Sequence, residues 1–83
     1  MGNSIQAYIL MDIEIGHTDD VVEQLRSIVE ATRIAITTGD YDIVVLLEVP
    51  TLEDLYEITA KRIHKIPGIK ETTTAVVAKL ISV

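Results

Sequence analysis

Apolar and polar residues alternate without a break from Ile5 to Ile15. Ile5, Ala7, Ile9, Met11, Ile13 and Ile15 fall on one side, and Gln6, Tyr8, Leu10, Asp12 and Glu14 on the other. This predicts a first strand with one strongly apolar face. Gly16-His17-Thr18 interrupts it, with Thr18 placed as an N-cap and Asp19 and Asp20 set against the positive end of a helix. Val21, Val22, Leu25, Ile28 and Val29 give that helix its apolar stripe. From Ala31 to Thr38 the β-branched residues return and predict a second strand.

A third strand follows from about Asp42 to Val49. Its run Ile43-Val44-Val45-Leu46-Leu47 is apolar at every position, as in a strand covered on both faces. Pro50 stops it, and Thr51-Leu52-Glu53-Asp54 opens a second helix in the manner of a capping box, with Asp54 in place of the preferred Glu. Leu52, Leu55, Tyr56, Thr59, Ile63 and Ile66 form its expected stripe, and Pro67-Gly68 ends it. The last strand is expected from about Ile69 to Ile81.

Strand, helix, strand, strand, helix, strand is the order of an α+β, ferredoxin-like βαββαβ fold. It makes a four-stranded antiparallel sheet with both helices on one face. The 83 residues suffice for a single domain, 1–83. Two helices cover one face of such a sheet, yet Tyr8, Leu10, Val44 and Leu46 point to the other, with Val76, Ala78 and Leu80 expected beside them. A contiguous apolar patch of this kind marks an interface, so a dimer packed sheet against sheet is expected.

Composition narrows the function. Thirteen acidic against seven basic residues give a net charge of −6, and the aromatics are three tyrosines. Direct nucleic-acid binding is therefore not expected, since it draws on Lys/Arg surfaces and stacking platforms. With no cysteine, disulfides, thiolate metal sites and cysteine nucleophiles are excluded. Met1-Gly2-Asn3-Ser4 lacks the features of a signal peptide, and no apolar stretch approaches the ~20 residues of a membrane span, so a cytoplasmic chain is expected.

Two segments concentrate polar chemistry. Thr37-Thr38-Gly39-Asp40-Tyr41-Asp42 sets hydroxyls, a glycine, a phenol and two carboxylates between two apolar strands. Glycine and aspartate there suit a plain β-turn. Backbone amides near Gly39 could equally accept a carboxylate while Asp40 or Asp42 receives an ammonium, a pairing suited to a zwitterionic amino acid. Thr72-Thr73-Thr74 suits a strand, and alternation puts Thr72 and Thr74 on one face, where their hydroxyls could bind a carboxylate or amide. His17 and His64 stand apart without nearby acids at ligand spacing, so they are taken as solvated histidines and no metal is expected. Lys61, Arg62, His64, Lys65 and Lys70 form a basic cluster of the kind a helix C-terminus attracts, or one that meets a partner's acidic patch. No Ser-His-Asp set, phosphate loop or dinucleotide fingerprint is present, so an enzyme is not expected and no cofactor is implied.

Thr38-Gly39-Asp40-Tyr41-Asp42 before an apolar strand, then a capped helix ending Ile66-Pro67-Gly68-Ile69, then Thr72-Thr73-Thr74, resembles the effector domain of Lrp/AsnC transcription regulators, the RAM domain. The resemblance covers roughly Ile5 to Leu80. It implies a ferredoxin-like fold, a dimer joined through its sheets, and assembly of dimers into octamer or decamer rings. It also implies that small effectors, typically amino acids, bind between dimers. By position, Thr38, Gly39, Asp40, Tyr41 and Asp42 would line that pocket, with Thr72, Thr73 and Thr74 from the last strand. Replacing Asp42 by Ala would then weaken effector response or ring assembly more than folding.

Full-length members carry a helix-turn-helix domain before this one, and here the first strand begins a few residues after Met1, so DNA binding is not carried over. The chain resembles the stand-alone form of the domain or an excised piece of a regulator. Two alternatives accompany this reading. One is a small dimeric α+β barrel-type enzyme, and the other is an interaction module that assembles with full-length regulators.

Overall fold

The structure, a computed structural model, describes residues 4–83, so residues 1–3 of the expected domain lie outside the described residues. The elements are β1 (Ile5–Ile13), α1 (Thr18–Arg26), β2 (Ala31–Ile36), β3 (Ile43–Val49), α2 (Leu52–Lys61), a single 3-10 turn (Ile63–Lys65) and β4 (Ile69–Val76). They form one four-stranded sheet in the order β2-β3-β1-β4, antiparallel throughout, as the expected ferredoxin-like topology requires. Period-two alternation decides what the central strands bury. Ala7, Ile9 and Met11 of β1, with Ile43, Val45 and Leu47 of β3, are fully buried beneath the helices, which contribute Val21, Leu25, Leu55 and Ile58.

Element ends depart from the pattern for identifiable reasons. β1 stops at Ile13 rather than Ile15, because its pairing to β4 shifts register between Asp12 and Ile13 and Gly16, at φ +87°, turns the chain; Ile15 is 99% exposed. Thr18 is not the cap of α1. It is the first helical residue, and His17 takes the cap position without a side-chain hydrogen bond, its carbonyl accepting from the Val21 N–H at 3.0 Å. Val29 is 89% exposed because α1 ends at Arg26, before the stripe reaches it.

The capping expected for α2 is present in altered form. The Asp54 N–H donates to Thr51 Oγ1 at 3.1 Å, and the Thr51 hydroxyl donates to the Asp54 carboxylate at 2.9 Å, so the aspartate reaches the side chain of the cap. The buried face of α2 is rotated from the expected stripe: Leu55 and Ile58 are buried, whereas Leu52 and Tyr56 are 59% and 65% exposed. β2 ends at Ile36 rather than Thr38, and β4 at Val76 rather than Ile81. The early end of β4 follows from its neighbour: Val77 N–H still donates to the Gln6 carbonyl, after which β1 has almost run out of residues to pair with. Val76 pairs with Ala7 and so lies on the helix side, which puts Ala75, level with Tyr8, on the open face in its place; Ala78 and Leu80 lie past the strand.

The open face keeps its apolar centre. Tyr8 is 39% exposed, and Leu10, Val44 and Leu46 beside it are half-buried by strand neighbours alone. Among the described residues, no helix is long and apolar enough to cross a membrane.

Candidate functional site

The turn between β2 and β3 is closed by its own hydroxyl and by its last residue. Thr37 N–H donates to the Asp42 carbonyl at 2.9 Å, and the Thr37 hydroxyl donates to the Tyr41 carbonyl at 2.7 Å. Between these bonds Gly39 adopts φ +104°, which favours glycine, and a side chain added there would meet no atom within 4 Å. Thr38, Gly39 and Asp40 are exposed; Tyr41 and Asp42 are half-buried.

Asp42 has a structural task that its position in the chain does not announce. Its N–H donates to the Met11 carbonyl at 2.8 Å, and its carboxylate accepts from the Ile13 N–H, also at 2.8 Å. The carboxylate thus satisfies a backbone amide two residues past the last β1–β3 pair, Met11 with Ile43, where β3 offers no strand partner. Asp42 thus has a part in folding beside its expected part in effector response. Asp42→Ala leaves that amide without its acceptor and is expected to lower stability by about 1–2 kcal/mol in urea denaturation at fixed protein concentration. Asp42→Asn keeps an acceptor oxygen and should lose less than half as much. Asp40 is exposed and without an ion pair among the described residues.

The threonines of β4 divide between the two faces. Thr72 pairs with Met11 and Thr74 with Ile9, both on the helix side, whereas Thr73 pairs with Leu10 on the open side. Thr72 is half-buried and its hydroxyl shares a hydrogen bond of 3.0 Å with His64 Nε2. His64 was expected to be free in solvent; it is exposed but tied to Thr72. His17 likewise packs against Gly68. Among the described residues, no group of three or more His, Asp or Glu side chains could hold a metal ion.

The two segments share one end of the sheet. Ile43, next to Asp42, pairs with Met11, and Met11 pairs on its other side with Thr72. β1 therefore stands between them, separating the turn from Thr72 by two strand spacings, about 10 Å. A surface groove of about 270 Å³ lined by His64, Ile69, Lys70, Glu71 and Thr72 takes in Thr72 but none of the other seven candidate residues. Within one chain, then, Thr72 and the turn lie at the same end of the sheet without closing around a common space.

Comparison with known proteins decides the family. A family model described as the Lrp/AsnC ligand binding domain matches residues 6–82. The chain belongs to the Lrp/AsnC family. This Lrp/AsnC domain is 34% identical over 79 residues to the HTH-type transcriptional regulator FL11 of Pyrococcus horikoshii, covering 95% of the chain and 52% of FL11. It is 33% identical over 79 residues to an uncharacterised HTH-type transcriptional regulator of Pyrococcus furiosus, covering 95% of the chain and 53% of that protein. The chain thus spans about half the length of the curated relatives it matches.

Among solved structures it is similar to FFRP-DM1, with a TM-score of 0.85 and 33% identity, covering 88% of this chain and 97% of that one. Its fold is also that of Escherichia coli AsnC, with a TM-score of 0.90 at 21% identity over 95% of this chain and 54% of AsnC. A transcriptional regulator from Neisseria meningitidis, solved as a complex with L-Met, shares the fold with a TM-score of 0.88 at 18% identity, over 94% of this chain and 52% of that one. These relatives are transcription regulators, not enzymes, which sets aside the barrel-type enzyme.

Proposed function

We propose that this Lrp/AsnC ligand-binding domain senses a small zwitterionic effector, an amino acid, and does so as an assembly in which dimers joined through the open sheet face associate further into a ring. The carrying observation is an exposed, glycine-centred turn bearing a free Asp40 at the same end of the sheet as the Thr72 hydroxyl, with β1 between them, so that no single chain closes them into a pocket. The amides around Gly39 suit the carboxylate of an amino acid and Asp40 suits its ammonium, while Thr38, Tyr41 and Asp42 frame the turn. Thr72, Thr73 and Thr74 of another subunit would supply the remaining hydrogen bonds. The apolar centre of the open face supports dimers, and the L-Met complex of the Neisseria regulator supports the effector class. A sensor of this design passes its signal on by a change of assembly state or by contact with a longer regulator of the family, in the cytoplasm.

A few charge-assisted hydrogen bonds at about 1.5–3 kcal/mol each, less ordering costs, place the affinity in the micromolar to millimolar range. A thermal-shift screen of the twenty amino acids at millimolar concentration, run beside light scattering, should show a raised midpoint for one or a few of them. A well-folded oligomer indifferent to all would leave only the scaffold role.

A further inference from the structure

The basic cluster of the second helix is not used by the effector reading, and the structure disperses it. Lys61 pairs with Glu57 at 3.1 Å, Lys70 with Asp12 at 4.0 Å, and His64 bonds Thr72. Arg62 pairs with Glu30 at 3.7 Å and Lys65 has no ion pair among the described residues; both line a groove of about 310 Å³ between the C-terminal end of α1 and the 3-10 turn, with Gln24, Ile28, Ile66 and Pro67 also lining it. Neither cation is hydrogen-bonded to an acid among the described residues, since Glu30 Oε1 lies too far from the guanidinium for a hydrogen bond. That oxygen is buried and has no hydrogen-bond partner, so Glu30 pairs with Arg62 by charge while the guanidinium N–H donors remain available to a ligand.

We propose that this groove is a binding site for a compact dianionic oxyanion, a phosphate monoester or a dicarboxylate, held between Arg62 and Lys65 with the Gln24 amide as third donor. A guanidinium offers paired N–H groups that match two oxygens of such a group, and an ammonium adds a point charge. The apolar wall lowers the local dielectric and strengthens both. A volume near 300 Å³ is at the small end of ligand sites, which favours a compact anion over an extended one. The cations also follow the end of α2, where the dipole attracts positive charge. That role alone would not bring both into a groove whose far wall belongs to α1. In a chain of net charge −6, an unpaired Lys65 beside an Arg62 whose N–H donors are not hydrogen-bonded to an acid marks where an anion is drawn.

The test is isothermal titration of the full chain with inorganic phosphate and, separately, with succinate, each against sodium chloride at equal ionic strength. Saturable heat with either anion is expected, weakened tenfold or more by Lys65→Gln, while the response to amino acids in the thermal-shift screen stays as in the unaltered protein. Preference for phosphate assigns a phosphate ester and preference for succinate a dicarboxylate. Arg62→Gln should weaken binding similarly; if it disturbs folding through Glu30, Lys65→Gln decides by itself. Heat that chloride reproduces, or an affinity unchanged in Lys65→Gln, overturns the site and leaves the cations as helix-end charges, without touching the effector reading.

Discussion

Replacing Gly68 by alanine should lower the stability of the domain by about 2–5 kcal/mol, the sum of two separate costs. Gly68 has φ +99°, where an L side chain costs about 1–2 kcal/mol. A Cβ there would also lie 2.7 Å from the Cβ of His17, with two further His17 ring atoms at 3.0 and 3.1 Å. The nearest atom is the root of the side chain and cannot swing away, so backbone must shift, and overpacking of this kind adds about 1–3 kcal/mol.

The shift is not free, because the Gly68 carbonyl accepts from the Glu14 N–H at 2.7 Å, tying the end of β1 to the start of β4. Gly39 is the control. Its φ is similar, +104°, but nothing lies within 4 Å, so Gly39→Ala should show the conformational cost alone. Adding His17→Gly to Gly68→Ala removes the clashing Cβ and should recover the packing share, since glycine is tolerated at a helix cap. Urea denaturation of these three variants, of His17→Gly alone and of the unaltered chain at one protein concentration resolves these shares. Equal losses for Gly39→Ala and Gly68→Ala would remove the clash from the account.

The second large effect concerns assembly. Leu46→Lys places an ammonium at the centre of the open face, beside Tyr8, Leu10 and Val44. In a symmetric sheet-to-sheet dimer each substitution appears twice. Burying an unpaired lysine costs about 3 kcal/mol or more, so two of them lower the association constant by a factor of thousands or more. In a separate chain the same lysine has solvent above it, and the cost to folding is about 1 kcal/mol or less. Light scattering coupled to size-exclusion chromatography should therefore report a folded monomer for Leu46→Lys and a dimer or larger species for the unaltered chain. An unaltered chain that runs as a monomer would remove the basis for the dimer.

Much of the fold was legible because burial writes a period of two into β1 and β3. The same alternation that predicted Ile9, Met11, Val45 and Leu47 as core put them there, fully buried. Ends were less legible because they depend on neighbours. β4 stops where β1 stops offering partners, and β1 ends at Ile13, whose amide is satisfied by the Asp42 carboxylate, 29 residues further along the chain. Nothing local to Asp42 records that bond, so its structural duty was hidden behind a binding role. The apolar stripe of α2 misled because Leu52 and Tyr56 sit at helical spacing yet face solvent, while Ile58 does the packing. Of the site, the turn conformation was readable from Gly39 and Asp40. The tie between His64 and Thr72 was not, because it joins two elements across the fold.

The central claim is that the effector site is built by more than one copy of the chain, and it is tested by titrating the amino acid selected in the thermal-shift screen into the unaltered oligomer and into monomeric Leu46→Lys. Saturable binding to the oligomer, with none or at least tenfold weaker binding to the folded monomer, is the predicted result. Equal affinity in the two would contradict it and place the whole site within one chain.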